Sequence, residues 1–251
     1  MKTGRSQFTS FLAVACWTAI CLANFGCKAG AAKSAGFVDT SIMSHDPNLP
    51  FHLSWVKPNL DKAKYTKIYI ADVNTAHMFE ETDWQKGERK DQFIADVATL
   101  ARFTRTAMER SFRDDPKHRM TVVDAPGHDP NTVVLEIALI EVVPSKVVLN
   151  ALGYTPVFFI GTGITVVRAI AQDVSTVAME ARFKDAATGE TLIMMADREQ
   201  EQMAVVSVRG LTWYSHAQAI ISQWASQFVA LANAKPGELV KDSDPFTLQP
   251  W

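Results

Sequence analysis

The sequence predicts an α+β fold in which a mainly antiparallel sheet is packed by two amphipathic helices, giving two layers. Three observations support this prediction. Two long stretches have apolar residues at spacings of three and four, which is typical of helices that bury one face. Several shorter stretches are rich in β-branched residues or alternate apolar with polar residues, which indicates strands. Residues 147–167 add an apolar, glycine-containing insertion.

The first predicted strand is "YTKIYIADV", residues 65–73, and the first predicted helix begins at Asp91 and ends near Arg113. Asp91 is a suitable N-cap residue, and the sequence "DDP" directly after Arg113 stops the helix. The predicted apolar stripe of this helix consists of Phe93, Val97, Leu100, Thr104, Met108 and Phe112.

Two further strands are predicted in "MTVVD" and "TVVLEIALIEVV", separated by turn residues. Residues 175–200 predict a β-hairpin, because strand-like sequences lie on both sides of the turn "DAATGE". A second amphipathic helix is predicted from about Thr212 to Ala234. Its apolar face consists of Ala217, Ile220, Ile221, Trp224, Phe228 and Leu231.

The N-terminus has the order of segments found in secretory signals. Lys2 and Arg5 provide a basic start, residues 8–25 carry no charge, and Gly26 precedes Cys27. The apolar stretch is shorter than the roughly 20 residues that a membrane-spanning helix needs. We therefore predict a cleaved leader.

The tetrapeptide Asn24-Phe25-Gly26-Cys27 resembles the lipobox of bacterial lipoproteins, in which the cysteine becomes the diacylated first residue after cleavage. Gly26 fits the small position before the cut, whereas Asn24 and Phe25 depart from the usual residues. We predict lipid attachment at Cys27. The alternative is an ordinary signal peptide cut elsewhere, with Cys27 a spare thiol. Because Lys28 and not aspartate follows the cysteine, the resemblance implies an outer-membrane location facing the periplasm.

These observations predict four parts of the chain. Residues 1–26 are a lipoprotein signal peptide, and residues 27–50 are the lipidated cysteine and a flexible tether. Residues 51–234 form a single α+β domain, and residues 235–251 form a C-terminal tail.

The composition limits the possible partners and cofactors. The three cysteines are Cys16, Cys21 and Cys27, so cleavage before Cys27 leaves one thiol and excludes a disulfide scaffold and a cysteine-ligated metal site. The chain has 25 basic and 27 acidic residues, and two of the basic ones lie in the leader. This balance lacks the basic footprint of a nucleic-acid-binding protein. We expect no nucleic-acid partner and no cofactor.

The six histidines do not form a helical zinc motif, and neither HExxH nor GxSxG occurs in the sequence. His118 and His128 lie in polar loops beside Asp115 and Asp129, a combination of residue types that binds metals. Solvated loop histidines are the preferred interpretation, and we predict no metal site.

Asp72 and Glu141 were considered as an acid and a base for hydrolysis. Both lie at the ends of apolar strands, where a charged residue usually marks the exit of the chain to water. We therefore predict no catalytic residues.

The insertion at residues 147–167, "VVLNALGYTPVFFIGTGITVV", contains no charged residue. Its glycines, asparagine and proline disfavour a regular membrane-spanning helix, although its length would suffice. A buried strand-turn-strand or packed apolar loop is the favoured interpretation. The third interpretation is that the insertion forms an exposed patch that binds a membrane, a partner or a second copy of the chain, with Tyr154, Phe158 and Phe159 as anchors.

Four blocks of sequence together resemble a known family. They are "WVKPNLDKAKYTKIYI", "TVVDAPGHDPNTVVLEIALIEVVPSKVVLN", "EARFKDAATGETLIMMADRE" and "WYSHAQAIISQWASQF". In this order, from about Trp55 to Phe228, they are similar to the bacterial lipoprotein family filed as domain of unknown function 3313. The resemblance implies an envelope lipoprotein with no established activity, and it supplies no catalytic residues.

The sequence therefore favours a lipid-anchored, non-catalytic interaction or accessory protein of the bacterial envelope. Its expected partners are the membrane, through the lipid on Cys27, and an envelope protein. Two alternatives stay open. One is a periplasmic hydrolase that uses carboxylates or loop histidines, and the other is a lipid or small-molecule carrier whose pocket is lined by residues 147–167.

Overall fold

A computed structural model describes residues 29–79, 90–143, 175–200, 214–235 and 237–242. Within these residues the chain forms six strands and two α-helices, with single turns of 3-10 helix at Thr40–Ile42 and Lys62–Lys64. In chain order the elements are β1 (Leu53–Val56), β2 (Lys67–Ile70), α1 (Lys90–Arg113), β3 (Thr121–Val122), β4 (Thr132–Val143), β5 (Thr176–Asp185), β6 (Thr191–Gln200) and α2 (Ser215–Asn233).

The six strands form one mixed sheet in the order β1-β6-β5-β4-β2-β3. The pairs β1–β6, β6–β5 and β5–β4 are antiparallel, whereas β2 is parallel to both β4 and β3. The α+β class is confirmed, but the prediction of a mainly antiparallel sheet is wrong. Helix α1 leads the chain from β2 back to the end of the sheet where β2 began, so β3 and β4 run in the same direction as β2.

Both helices bury the faces that their sequences predict. The stripe of α1 from Phe93 to Phe112 is buried at each of its six positions. The face of α2 is buried as well, and Trp224 and Phe228 are fully buried. These side chains form one core with the odd-numbered residues of β5 and the facing residues of β4. The helices and the core therefore lie on one side of the sheet, which we call the inner face.

The predicted hairpin is formed by β5 and β6, which pair antiparallel from Thr176 and Gln200 to Lys184 and Thr191. Gly189 in the turn has φ of +72°, a left-handed conformation that favours glycine. The hairpin is confirmed as predicted from the "DAATGE" turn.

Asp185 joins this turn to the segment that precedes β2. Its carboxylate accepts hydrogen bonds from Lys64 Nζ and Tyr65 Oη, each at 2.8 Å, and from the backbone N–H groups of Ala187 and Thr188. Burial of Asp185 opposes its ionisation, but these four donors outweigh burial and hold its pKa well below the ordinary value.

Replacing Asp185 by asparagine is expected to lower the free energy of unfolding at pH 7 by about 2 kcal/mol, because hydrogen bonds to a charged group contribute about 1.5–3 kcal/mol. The pKa is lower in the folded than in the unfolded state. The contribution of the carboxylate is therefore complete above the unfolded pKa of about 3.9 and is lost as the pH falls through the folded pKa. Urea unfolding should show a constant difference from about pH 7 to 5 that shrinks below about pH 4.

Glu190→Gln is the matched control, since Glu190 is an exposed carboxylate paired with Lys57 at 2.6 Å. Surface pairs contribute little, so this change should stay within about 0.5 kcal/mol. If the loss of unfolding free energy in Asp185→Asn grew toward acid pH, this result would contradict the stabilising role of the ionised Asp185 carboxylate.

Candidate functional site

The side of the sheet opposite the helices, here called the outer face, is covered by residues 29–44, here called the N-terminal strap. Val38 and Met43 of the strap are buried against Met194, and Ala32 and Ala35 pack on Ala138, Ile140 and Ala178 of the sheet. These strap residues belong to the stretch that we predicted to be a flexible tether. The predicted domain boundaries stay predictions, but this part of the stretch is packed on the domain.

The strap is held by the carboxylate of Glu180 on β5, which is fully buried. Glu180 Oε1 accepts hydrogen bonds from the N–H of Ala35 at 2.7 Å and from the hydroxyl of Ser34 at 3.2 Å. Its Oε2 accepts from the N–H groups of Phe37 at 2.7 Å and Val38 at 3.0 Å. Four neutral donors thus replace the water that a buried carboxylate loses.

The strap can aim three backbone N–H groups at one carboxylate because its chain turns at Gly36. Gly36 has φ of +78°, in the left-handed region that residues with a Cβ rarely adopt. No other atom would contact an added Cβ there, so backbone conformation and not space explains the glycine. Successive N–H groups that converge in this way form an anion-binding concavity.

Arg182, two residues along the same face of β5, holds the next part of the strap. Its guanidinium donates to the carbonyl oxygen of Phe37 at 3.0 Å and lies 4.5 Å from the centre of the Phe37 ring. The same guanidinium pairs with Glu136 of β4. His77 contacts the other side of the strap, with Nδ1 3.1 Å from the carbonyl oxygen of Ala35. Glu180, Arg182 and His77 therefore all contact the backbone of the strap.

The start of the strap is connected to the inner face through a histidine and a buried aspartate. His52 Nε2 donates to the carbonyl oxygen of Ala29 at 2.6 Å, and Nδ1 lies 2.6 Å from Asp197 Oδ1. The other oxygen of Asp197 accepts a hydrogen bond from the indole of Trp224 on α2 at 2.9 Å. This chain of contacts joins Ala29 to the helix layer through the sheet.

The two carboxylates that were considered as acid and base each have an arginine partner. Asp72 is exposed and pairs with Arg105 of α1. Glu141 is buried, pairs with Arg198 at 2.8 Å and accepts a hydrogen bond from Thr176 at 2.6 Å. Both carboxylates are thus held in ion pairs on different parts of the sheet.

The two aspartates near His118 and His128 in these loops bond to other groups of the same chain. Asp115 is buried and accepts from two backbone N–H groups and from Asn233 at the end of α2, and Asp129 pairs with Lys67 at 2.7 Å. The hydrogen bond from Lys67 lowers the pKa of Asp129. Among the described residues, no three histidine, cysteine, aspartate or glutamate side chains are grouped so that they could hold a metal ion.

Ser54 and Lys57 have the spacing of the SxxK nucleophile motif, which the sequence analysis did not identify. They lie at β1, where residues three apart point to opposite sides of the sheet, whereas in a helix they would be neighbours. Lys57 pairs with Glu190, and the Ser54 hydroxyl donates to the carbonyl oxygen of Ser44 at 3.5 Å. The geometry does not favour a serine–lysine pair.

An apolar cavity of about 40 Å³ lies between the sheet and the end of α2. Lys62 and Arg119 at its rim donate to backbone carbonyl groups, Lys62 to those of Leu231 and Ala234. Burial, together with the charge of Arg119, lowers the pKa of Lys62. Ligand pockets usually enclose about 300–1,000 Å³, so this cavity is too small for a lipid.

The predicted contact residues Tyr154, Phe158 and Phe159, the insertion at 147–167 and Cys27 lie outside the described residues, so they stay predictions. Sequence reasoning did not identify Glu180 as a functional residue, although the residue lies within the predicted hairpin at residues 175–200. A carboxylate in the middle of a ten-residue strand was the available signal. The sequence does not show which segment covers it.

Comparison with known proteins gives a family and several solved structures of low similarity, among them the two described next. The model of a family described as protein of unknown function (DUF3313) matches residues 33–228. A PelC dodecamer from Paraburkholderia phytofirmans is 13% identical with a TM-score of 0.36, and the match covers 69% of this chain and 94% of that one. Lipoprotein GNA1162 from Neisseria meningitidis is also 13% identical, with a TM-score of 0.27 and coverage of 67% and 99%.

Identities and TM-scores of this size carry no argument about the function of this chain. No curated protein matches the sequence. Across the described ranges, neither helix combines the length and the apolar character needed to cross a membrane.

Glu180→Gln tests how the strap is held. Glutamine has one acceptor oxygen and one NH₂ group, so two of the four donors would face another donor. We expect the amides of Ala35, Phe37 and Val38 to exchange with solvent about 10–100 times faster, since each lost hydrogen bond to a charge is worth about 1.5–3 kcal/mol. Hydrogen–deuterium exchange resolved by residue measures this, with β5 amides as the internal reference.

Glu136→Gln provides the matched control, because Glu136 lies on the same face but bonds to Arg182 and not to the strap. In Glu136→Gln, the amides of the strap should exchange at rates within about threefold of those in the wild type. Equal exchange in Glu180→Gln and Glu136→Gln would show that Glu180 does not hold the strap.

Proposed function

We propose that this chain, which belongs to the family described as protein of unknown function (DUF3313), is a lipid-anchored protein of the bacterial envelope whose domain binds an envelope partner and catalyses no reaction. Lipid on Cys27 holds it to the membrane. The position of Lys28 after the cysteine favours the outer membrane, with the domain in the periplasm.

The observation that carries this proposal is the course of the strap. It contacts the domain from Ala29 onward, only two residues after Cys27. The strap is then held at Glu180 and Arg182, and it packs on the sheet as far as Met43. An extended chain spans at most about 3.5 Å per residue, so the bound part of the chain begins within about 7 Å of the residue that we propose to carry the lipid. Such an arrangement suits a protein that works at a membrane.

A non-catalytic role is supported by how the polar groups of the outer face are used. Glu180, Arg182 and His52 contact the backbone of the strap, and Glu141 is bonded to Arg198 and Thr176. These groups stabilise a covered surface. An active site needs polar groups that reach a substrate.

Lipid labelling of Cys27→Ala in a diderm bacterial host tests the anchor. We expect the wild type to incorporate labelled fatty acid and to sediment with membranes, and the variant to lose both properties. Cys21→Ala is the matched control, since it removes a thiol from the leader and keeps Cys27. Labelling should persist in that control.

An unlabelled wild type would contradict the proposal. Retention of the label in Cys27→Ala would also contradict it, because the lipid would then be attached elsewhere. If the label is lost but the variant still sediments with membranes, lipid on Cys27 is not what holds the domain there.

A further inference from the structure

Each ring nitrogen of His52 lies close to an oxygen atom. Nδ1 lies 2.6 Å from Oδ1 of Asp197, and Nε2 lies 2.6 Å from the carbonyl oxygen of Ala29, where the strap begins. A carbonyl oxygen and an ionised carboxylate accept hydrogen bonds and have no hydrogen to donate. Both contacts are therefore hydrogen bonds only if both ring nitrogens carry a hydrogen, which is the case in the imidazolium form alone.

The surroundings of Asp197 favour a carboxylate, so the extra proton belongs to the ring of His52. The Asp197 side chain is fully buried, and the backbone N–H of His52 donates to it at 3.1 Å. The indole N–H of Trp224 on α2 donates to its other oxygen at 2.9 Å. Hydrogen bonds from such donors stabilise the charged form of a buried carboxyl group. His52 and Asp197 thus form an ion pair between the strap and the helix layer.

Other described charged groups lie around this ion pair. Lys33 of the strap and Glu180 of β5 line a cavity together with His52. Arg198 of β6 pairs with Glu141 of β4, which balances its charge. The backbone N–H of Arg198 lies 3.3 Å from Nδ1 of His52, a longer and therefore weaker contact than the one at 2.6 Å between Nδ1 and the carboxylate. The carboxylate is thus the charged group in close contact with the ring.

We infer that the start of the strap is held by a proton-dependent latch, in which the imidazolium of His52 joins Ala29 to Asp197. A neutral ring keeps one hydrogen, which stays on Nδ1 because a hydrogen bond to a charged oxygen is stronger than one to a carbonyl oxygen. The lone pair of Nε2 then faces the carbonyl oxygen of Ala29, so the contact becomes repulsive. The next contact of the strap, from Arg198 to the carbonyl oxygen of Gly30, is long at 3.5 Å.

The later part of the strap does not depend on this proton. Backbone N–H groups and the Ser34 hydroxyl bind Glu180, and these donors do not titrate near neutral pH. His77 contacts the carbonyl oxygen of Ala35 through Nδ1, and a neutral ring can supply the one hydrogen that this contact needs. Loss of the His52 proton therefore frees the strap only as far as its contacts with Glu180.

The direction of the pH dependence follows from the number of bound protons. The bound strap keeps a proton on His52 that the unfolded chain releases above the ordinary pKa of histidine, about 6.5. The stabilisation by the latch is therefore complete below about pH 6.5 and is lost as the pH rises through the titration of the bound ring. The latch is closed in acid solution and opens in alkaline solution.

An open latch lengthens the link between the domain and the proposed lipid. With Ala29 bound, the link to Cys27 spans at most about 7 Å, at about 3.5 Å per residue. With the strap bound only from Ser34, which donates to Glu180, the seven residues after Cys27 span at most about 25 Å. This consequence rests on the proposed lipid attachment at Cys27, whereas the latch itself does not.

Thiol labelling of Ala29→Cys in the full chain tests the latch. Ala29 is buried, so a cysteine at this position reacts with iodoacetamide only when the start of the strap is released. Ala187→Cys, in the exposed hairpin turn, gives the reference rate that corrects for the effect of pH on thiol reactivity. Peptide mass spectrometry reports the label at each position separately from Cys27, and near-ultraviolet circular dichroism verifies that the domain stays folded at each pH.

We expect the corrected rate at position 29 to rise at least about tenfold from about pH 6.5 to about pH 9, since coupling to one proton allows up to about tenfold per pH unit. In the His52→Gln background the rate should already be high at about pH 6.5 and should change by less than about twofold, because glutamine does not titrate. His77→Gln is the matched control and should keep the rise, since its contact needs no second proton. A constant rate with His52 present, or the same rise in His52→Gln, would overturn the inference.

Nitrogen NMR of the unsubstituted chain with isotope-labelled histidine measures the protonation itself, and it decides the outcome if Ala29→Cys fails to fold. The spectrum of His52→Gln assigns the two signals. At about pH 7.5, where a histidine with the ordinary pKa of about 6.5 is about nine-tenths neutral, we expect both ring nitrogens of His52 to carry a hydrogen. One protonated and one unprotonated nitrogen at this pH would overturn the inference.

The mass of the purified chain separates this inference from the proposed function. A chain without acyl groups on Cys27 means that the proposed function fails, and the labelling and NMR results on the strap still stand. An acylated chain whose label at position 29 does not depend on pH means that the latch alone fails.

Discussion

The packing of the strap on the outer face of the sheet depends on one buried carboxylate, that of Glu180. Taking an ionised group out of water is unfavourable by several kcal/mol unless hydrogen bonds replace its hydration. Glu180 is fully buried, and four donors from Ser34, Ala35, Phe37 and Val38 provide those bonds. Without the strap, this face would be solvated, as one face of many antiparallel sheets is. The strap and the sheet therefore stabilise each other.

This interaction connects the fold to the proposed location of the protein. A lipid anchor followed by a free tether would let the domain rotate and move away from the membrane. Here the chain is bound from Ala29, and contacts with His52, directly before β1, and with Glu180 on β5 fix its direction across the sheet. The bound part of the chain thus begins two residues after the cysteine that we propose to carry the lipid.

The sequence predicted the elements whose signals are local. The stripe of α1, the buried face of α2 and the hairpin around Gly189 are formed as expected, because periodicity and turn residues act within a few positions. It did not predict the parallel pairing of β2, which depends on strand order. It also did not predict the strap, because residues 28–36, "KAGAAKSAG", are small or polar, and Glu180 lies 145 residues away from Ala35 in the chain.

The most direct test of the mutual dependence of strap and Glu180 is a double-mutant cycle. The free energy of unfolding in urea is measured for residues 28–251 and 45–251, each with Glu180 and with Glu180→Gln. In residues 28–251 the substitution should lower the free energy of unfolding by about 2–4 kcal/mol. In residues 45–251, where removal of the strap exposes Glu180, it should lower the free energy of unfolding by less than about 0.5 kcal/mol. Equal costs in both backgrounds would contradict the account, because the strap would then contribute nothing to the burial of this carboxylate.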